Sequence, residues 1–272
     1  MTARSVALRS LKQVARAADT VFPPRDGVVV LAYHCVGAGT DLELDLPLDA
    51  FRRQMEWLAA SGRAVSIDRA LRALAVPGNG AGPPVVVTFD DGTADFADHA
   101  APVMDALGVP STIYVATAFI EEGRRFAYGG VPLSWDALHD ARTSGLVTVG
   151  SHTHEHTVMR RLDGAAAHEA LARSQDLIAE HVGRPAEHFA YPKGVLASPD
   201  AEQVVRERFR SAALGRVGAN RPGHTDRYRL RRTPIQASDS FDDFLHKVDG
   251  GFRLEGAVRE SFNRIRYATS EH

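Results

Sequence analysis

Two adjacent carboxylates at the end of an apolar run are the first feature of this sequence that could do chemistry. The run Val85–Phe89 is followed directly by Asp90, Asp91 and Gly92. Its β-branched residues predict a strand that is covered on both faces, as in parallel α/β sheets. Two ionised acids at such a strand end need a cation or several hydrogen-bond donors, because leaving them unpaired at the rim of a core is costly. A bound metal would meet that need, although an ordinary Asp-Gly turn is the alternative.

Three histidines follow a second predicted strand. They are His152, His154 and His156. In an extended chain all three would point one way, and in a helical turn His152 and His156 would share a face, so both geometries join these two. Two neutral imidazoles and one carboxylate, from Asp91 or Asp90, form a facial ligand set for a divalent ion such as zinc and leave a position for water. A hydrogen-bonded loop without metal is the alternative.

The elements that must position these residues alternate between strand and helix. Predicted strands lie at 28–33, 85–89, 111–115, 146–149, 189–191, 211–214 and 230–235. Predicted helices lie at 49–61, 67–74, 95–107, 134–144, 164–182, 200–208 and 240–248. Parallel strands joined in this way need right-handed crossovers, which cover the sheet with helix. About seven strand-helix repeats predict an α/β fold with one barrel-like domain over residues 25–272, whose charged end, 256–272, would pack on the rim.

Composition limits the classes of partner. The chain has 272 residues, of which 44% are hydrophobic, and its 34 acidic and 32 basic side chains give a net charge of -2. This balance supplies no overall positive field for nucleic acid. The one cysteine, Cys35, excludes an intramolecular disulfide. With no apolar run near the roughly 20 residues of a membrane span and no signal-peptide pattern, we expect a cytoplasmic protein.

The N-terminal extension, residues 1–24, is predicted to be a basic and weakly amphipathic helix. It carries no acid before Asp19, and Leu8, Leu11 and Ala15 lie on one helical face. Such a helix could make weak contact with an anionic membrane surface, which would make the protein membrane-peripheral. A helix packed on the domain is the alternative.

Three motifs, in this order, resemble those of the polysaccharide deacetylase family, the carbohydrate esterases that share the NodB homology domain. The motifs are Thr88–Gly92, Ser151–His156 and Phe189–Gly194, and the resemblance extends over about residues 28–236. It implies a distorted (β/α) barrel that removes an acetyl group from an N-acetylated sugar or glycoconjugate. The bond broken would be a carbon–nitrogen bond other than a peptide bond.

The resemblance also implies the roles of the site residues. A divalent metal would be held by Asp91, His152 and His156, with Zn2+ as the best match and Co2+, Ni2+ or Mn2+ as alternatives. Asp90, one residue along, would stay free to act as the general base. The backbone N–H of Lys193 would stabilise the oxyanion of the tetrahedral intermediate.

Two functional groups of the family have no direct match in this sequence. The family often has an arginine in the third motif that orients the base, but Ala190 stands at that place, and we expect Arg231 or its neighbour Arg232 to replace it. The family's general acid is a histidine in a late motif that has no clear counterpart. Three other histidines could take this role: His34, His224 and His246.

The sequence therefore predicts a metal-dependent deacetylase that acts on an acetylated carbohydrate or glycoconjugate, with no nucleic-acid partner. An ester or non-sugar amide hydrolase with the same metal site is one alternative. A second alternative is a carbohydrate-binding member of the family that has lost catalysis. A third is a phosphoryl-transfer enzyme that holds Mg2+ with the two acids. The oligomeric state is left open.

Overall fold

A seven-stranded parallel sheet forms the centre of the computed structural model, which describes residues 12, 14–21, 27–75 and 82–258. The strands are β1 (Val29–Tyr33), β2 (Cys35–Val36), β3 (Asp45–Leu46), β4 (Val85–Phe89), β5 (Ser111–Val115), β6 (Val147–Ser151), β7 (His188–Ala190), β8 (Ser211–Ala213) and β9 (Thr233–Pro234). The order in the sheet is β8-β7-β6-β5-β4-β1-β9, and β2 pairs with β3 in a separate ladder. All neighbouring strands of the large sheet are parallel.

The sheet curls into a distorted barrel because one segment links its two edges. Thr233 and Pro234 pair with β1. Earlier in the same segment Leu230 bridges Ala213 of β8, and its carbonyl accepts a hydrogen bond from the N–H of Leu214 at 2.8 Å. The predicted α/β class and the predicted barrel of about seven strands are confirmed.

Helices cover the outer face of the sheet. They are α1 (Leu48–Ser61), α2 (Ile67–Ala75), α3 (Ala101–Leu107), α4 (Thr117–Glu122), α5 (Trp135–Ala141), α6 (Gly164–Val182), α7 (Pro199–Arg208) and α8 (Phe241–Val248). A π-helical turn, Phe96–Ala100, precedes α3, and 3-10 turns lie at Met159–Arg161 and Pro192–Gly194. Gly62 and Gly108 end α1 and α3 in the left-handed conformation, with φ of 65° and 66°, which a glycine adopts without steric cost.

The main differences from the predicted elements have local causes. The strand predicted at 230–235 is reduced to β9, because Leu230 still bridges β8 at Ala213 and the segment pairs with β1 only from Thr233. The short helix α4 was not predicted, and its N-cap residue, Ala116, makes no side-chain capping bond that would mark its start. Of the charged stretch 256–272, the structure describes residues up to 258, which belong to a helical turn beginning at 253.

Alternating strand residues divide the core into two parts. Outward side chains of the strands pack under the helices, whereas inward side chains of β1, β4 and β8 meet one another and α2 inside the barrel. The members of this inner core are Val28, Val30, Val86, Ala213 and Leu230 from the strands and Val65, Ile67, Ala70 and Leu74 from α2 and its approach. Because Val86 and Leu230 point inward, the same alternation directs Asp90 and Arg232 to the interior at the carboxyl end.

The described N-terminal residues pack on the domain. Residues 14–21 are helical, Lys12 Nζ lies 2.7 Å from Asp239 Oδ1, and Arg16 Nη2 lies 2.8 Å from Asp243 Oδ1. The rest of the predicted amphipathic helix, with Leu8 and Leu11, lies outside the described residues. Within the described residues no helix combines the length and the apolar composition that crossing a bilayer requires.

The buried carboxylate of Asp239 links the described N-terminal residues to α8, next to β9. It accepts hydrogen bonds from Lys12 and from Lys247, and Lys247 also donates to the Pro234 carbonyl in β9 at 2.8 Å. We expect Asp239→Ala to lower the free energy of unfolding by about 3–5 kcal/mol, because it leaves the buried Lys247 ammonium without its counter-ion. Lys247→Met removes the buried charge itself and should cost clearly less. Urea denaturation of both variants checks this, and equal losses would contradict it.

Candidate functional site

The acids and histidines singled out in the sequence meet at the carboxyl end of the barrel. Asp91 Oδ1 lies 3.2 Å from His156 Nε2 and 3.6 Å from His152 Nε2. One ligand atom from each of these three residues lies within 4.8 Å of the others. The set of two imidazole nitrogens and one carboxylate oxygen is of the kind that zinc and similar divalent ions prefer.

The backbone at this end of the barrel is unusual for residues that are not glycine. Asp91, Thr153, His156 and Lys193 all have left-handed conformations, with φ of 72°, 66°, 55° and 57°. Each such residue costs on the order of 1–3 kcal/mol and persists only where the surrounding structure determines it, as is common at functional sites. These strained residues lie in the loops after β4, β6 and β7, which are the loops that carry the candidate site residues.

The histidine run is neither extended nor helical. The left-handed Thr153 turns His154 away from the acids, and His154 Nδ1 instead lies 2.9 Å from Thr117 Oγ1. His152 stays at the site, where its Nδ1 lies 2.7 Å from the Ala190 carbonyl oxygen. Since a carbonyl can only accept, Nδ1 carries the hydrogen, and the lone pair of Nε2 points towards Asp91. Burial lowers the pKa of His152 to about 4, so its imidazole is neutral near pH 7.

Tyr128 is a site residue that the sequence did not indicate. Its hydroxyl donates to Asp91 Oδ2 at 2.7 Å, which leaves the other carboxylate oxygen for the two imidazoles. Burial opposes the charge of Asp91, but the hydrogen bond and charge of His156 outweigh it and hold the pKa of Asp91 well below its usual value. Tyr128 stacks on Phe126, whose ring also meets the edge of His156. It lies in a stretch predicted only as a loop, where no periodicity or motif pointed to it.

Asp90 has a different partner. Arg232 donates to both of its carboxylate oxygens, at 2.5 and 2.8 Å, and both side chains are buried. Burial raises the pKa of Asp90, but the charge and hydrogen bonds of Arg232, together with the nearby histidines, lower it below the usual value. Asp90 is therefore ionised and fixed in orientation by a bidentate pair.

The arginine at the base is Arg232 and not Arg231, which corrects the prediction. Arg231 is exposed and donates to the Val217 carbonyl at 3.2 Å. Neighbouring residues of an extended segment point to opposite faces, so only one of the two can enter the barrel.

Of the three histidines suggested as general acid, His34 is the one that the structure places beside Asp90. Its Nε2 lies 4.0 Å from Asp90 Oδ2, and its side chain is 30% exposed. His246 Nε2 lies 2.9 Å from Asp19 Oδ2, away from the site. His224 is exposed in a turn next to α2, where the N–H of Gly223 donates to the Leu74 carbonyl.

Lys193 lies in the 3-10 turn Pro192–Gly194, directly after β7. The carbonyl of Ala190, the last residue of that strand, is the one that orients His152. The turn therefore begins at the edge of the site, while the Lys193 side chain is exposed.

The chain is similar to known polysaccharide deacetylases over the stretch that contains Asp90, Asp91 and the histidine run. Residues 78–208 match the family model for polysaccharide deacetylases. The predicted resemblance to the polysaccharide deacetylase family is confirmed. The polysaccharide deacetylase homologue YxkH from Bacillus subtilis (strain 168) is 21% identical over 222 residues, which cover 80% of this chain and 76% of YxkH.

Two solved structures have a similar fold. IcaB from Ammonifex degensii is 28% identical with a TM-score of 0.73, over 83% of this chain and 98% of IcaB. The Streptococcus pyogenes deacetylase PplD, solved in complex with acetate, is 20% identical with a TM-score of 0.71, over 83% of this chain and 99% of PplD. These likenesses confirm the barrel that the sequence motifs indicated.

The two arginines form a matched pair for testing the position of Asp90. We expect Arg232→Gln to lower the free energy of unfolding by about 3–5 kcal/mol at pH 7, because it leaves the Asp90 carboxylate buried without its cation. Arg231→Gln should change it by less than about 1 kcal/mol, as is usual for an exposed side chain. Denaturant titrations measure both values. A similar effect of the two substitutions would show that Arg232 does not have this role.

Proposed function

We propose that the chain is a metal-dependent deacetylase that hydrolyses the acetyl group of an N-acetylated sugar or glycoconjugate. The observation that supports this most is the division of two adjacent acids: Asp91 faces two imidazole nitrogens, whereas Asp90 is held by Arg232. One acid is thus available as a ligand and the other as a base. A structural neighbour, PplD, is a deacetylase solved with acetate, which is the product expected here.

Asp91, His152 and His156 would hold the metal. The lone pair of His152 Nε2 and one oxygen of Asp91 are directed at the same place, and Tyr128 keeps the other Asp91 oxygen occupied. Zn2+ is the best match to this donor set, with Co2+, Ni2+ or Mn2+ as alternatives. When bound, such an ion supplies Lewis acidity, which polarises a carbonyl and makes a neighbouring water easier to deprotonate.

Asp90 would act as the general base. Arg232 keeps it ionised at neutral pH, and its Oδ2 lies 3.9 Å from His152 Nε2, beside the proposed metal site. It would take a proton from the water that attacks the acetyl carbon. The backbone N–H of Lys193 would donate to the developing oxyanion, a contact that needs no particular side chain and is compatible with an exposed lysine at this position.

His34 would complete the reaction as the general acid. When the carbon–nitrogen bond breaks, the leaving nitrogen must gain a proton, and acetate and a free amine result. His34 is partly exposed and 4.0 Å from Asp90, so its ring is next to the base and within reach of a leaving group from solvent. Phosphoryl transfer with Mg2+ held jointly by the two acids is disfavoured, because Asp90 is already bound by Arg232.

Two substitutions separate the roles of ligand and base. Acetate release from N-acetylglucosamine oligomers should stop when the metal is removed by a chelator and return when Zn2+ is added. Asp90→Asn should keep the metal but lose activity by about 100- to 10,000-fold, as expected for a lost general base. His152→Ala should lose both metal and activity. Activity that survives complete metal removal, or metal loss in Asp90→Asn alone, would contradict these assignments.

The proposed acid can be tested with the leaving group. His34→Gln should slow acetate release from an N-acetylated sugar by about 100-fold or more, because the amine cannot leave unprotonated. The same variant should be much less impaired with 4-nitrophenyl acetate, whose leaving group needs no proton. His224→Gln is the control and should leave both rates unchanged. Equal losses on the two substrates would rule out His34 as the acid.

A further inference from the structure

A second group of metal-ligand side chains lies at the amino end of the barrel, at the opposite end from Asp90. Asp68 is in the first turn of α2, Glu187 directly precedes β7, and His188 is the first residue of β7. One ligand atom of each lies within 4.8 Å of the others. Because α2 packs against the inner core, these residues lie where the helix closes the barrel.

His188 is the buried member of this group. It is 1% exposed and pairs in register with Ser211, whose hydroxyl lies 2.9 Å from its Nδ1. Among the residues that the structure describes, its Nε2 has no hydrogen-bond partner, and it points at Asp68 Oδ1, at 3.7 Å. This is too long for a hydrogen bond. It is close to the 3.6 Å between His152 Nε2 and Asp91 Oδ1 in the first site.

The facing atoms His188 Nε2 and Asp68 Oδ1 could both bind a cation placed between them. Burial lowers the pKa of His188 to about 4, although Asp68 opposes this effect, so the imidazole is neutral near pH 7. The Ser211 hydroxyl can accept the hydrogen of Nδ1 or donate its own to Nδ1, and in the tautomer in which it accepts, the Nε2 lone pair faces a carboxylate oxygen. In that tautomer both atoms are metal-ligand groups, and a divalent ion between them could bind both.

Arg210 forms ion pairs with both acids of this group but not with the histidine. Its Nη1 lies 2.9 Å from Asp68 Oδ1 and 2.8 Å from Glu187 Oε2. The Arg210 side chain is 53% exposed, and such exposed ion pairs contribute little free energy. A metal ion could therefore displace the guanidinium at small cost and would also satisfy His188.

We propose that Asp68, Glu187 and His188 form a second divalent-cation site, which binds Zn2+ or Co2+ when Arg210 moves out. The remaining coordination positions would be filled by water, as in other sites with three protein ligands. An ion here would join α2 to β7 and so tie the helix that closes the barrel to the sheet. This site does not depend on the proposed catalytic activity.

Zinc binding to the full chain, measured by equilibrium dialysis and elemental analysis after chelator treatment, tests this proposal. The His152→Ala variant, with its first site disabled, should still bind one Zn2+ per chain. Adding His188→Gln to it should abolish that binding, because the buried ligand is lost. Asp68→Asn, on a more exposed residue, should have the same effect if His188→Gln does not fold.

Arg210→Gln gives a prediction in the opposite direction. In the His152→Ala background it should tighten zinc binding by about two- to tenfold, since the ion no longer has to break exposed ion pairs. Zinc should also raise the melting temperature of His152→Ala but not that of the variant that also carries His188→Gln. The proposal would be overturned if His152→Ala binds no zinc, if His188→Gln leaves its zinc binding intact, or if Arg210→Gln weakens binding or leaves it unchanged.

Discussion

The buried ion pair between Asp90 and Arg232 is the interaction on which the arrangement of the site depends. It joins the carboxyl end of β4 to the segment that closes the barrel between β8 and β1. A carboxylate in this interior is stable only with its cation, because the cost of burying either charge alone is several kcal/mol. The pair therefore requires the barrel to close in one register, and closure in that register keeps Asp90 ionised and bound to Arg232.

The neighbouring residue is free for a different role because the chain turns sharply there. Asp91 has a left-handed conformation, so its carboxylate leaves the strand in a different direction from that of Asp90. Its two oxygens are again divided, one towards His152 and His156 and the other to Tyr128. Backbone strain and hydrogen bonding together thus convert two identical adjacent side chains into two chemically distinct groups.

The sequence could predict what is local and could not predict what depends on register or on distant contacts. His152, His156 and one of the two acids were predicted as a group because they closely follow recognisable strands, and the family resemblance implied that this acid is Asp91. The alternation of elements predicted the barrel. The choice between Arg231 and Arg232 depends on which face of one short segment points inward, and a proline leaves that segment with a weak strand pattern. Tyr128 reaches Asp91 from a loop, and the Asp68–His188 contact joins residues far apart in the chain, so no periodicity indicates either.

The central claim is that the adjacent acids have separate roles, and anomalous X-ray diffraction from crystals grown with Zn2+ tests it most directly. Data collected on both sides of the zinc absorption edge would locate the ion. The account predicts an anomalous peak bonded to Asp91, His152 and His156, with Asp90 outside the coordination sphere and still paired with Arg232. A peak bonded to Asp90, or no peak at this end of the barrel, would contradict it.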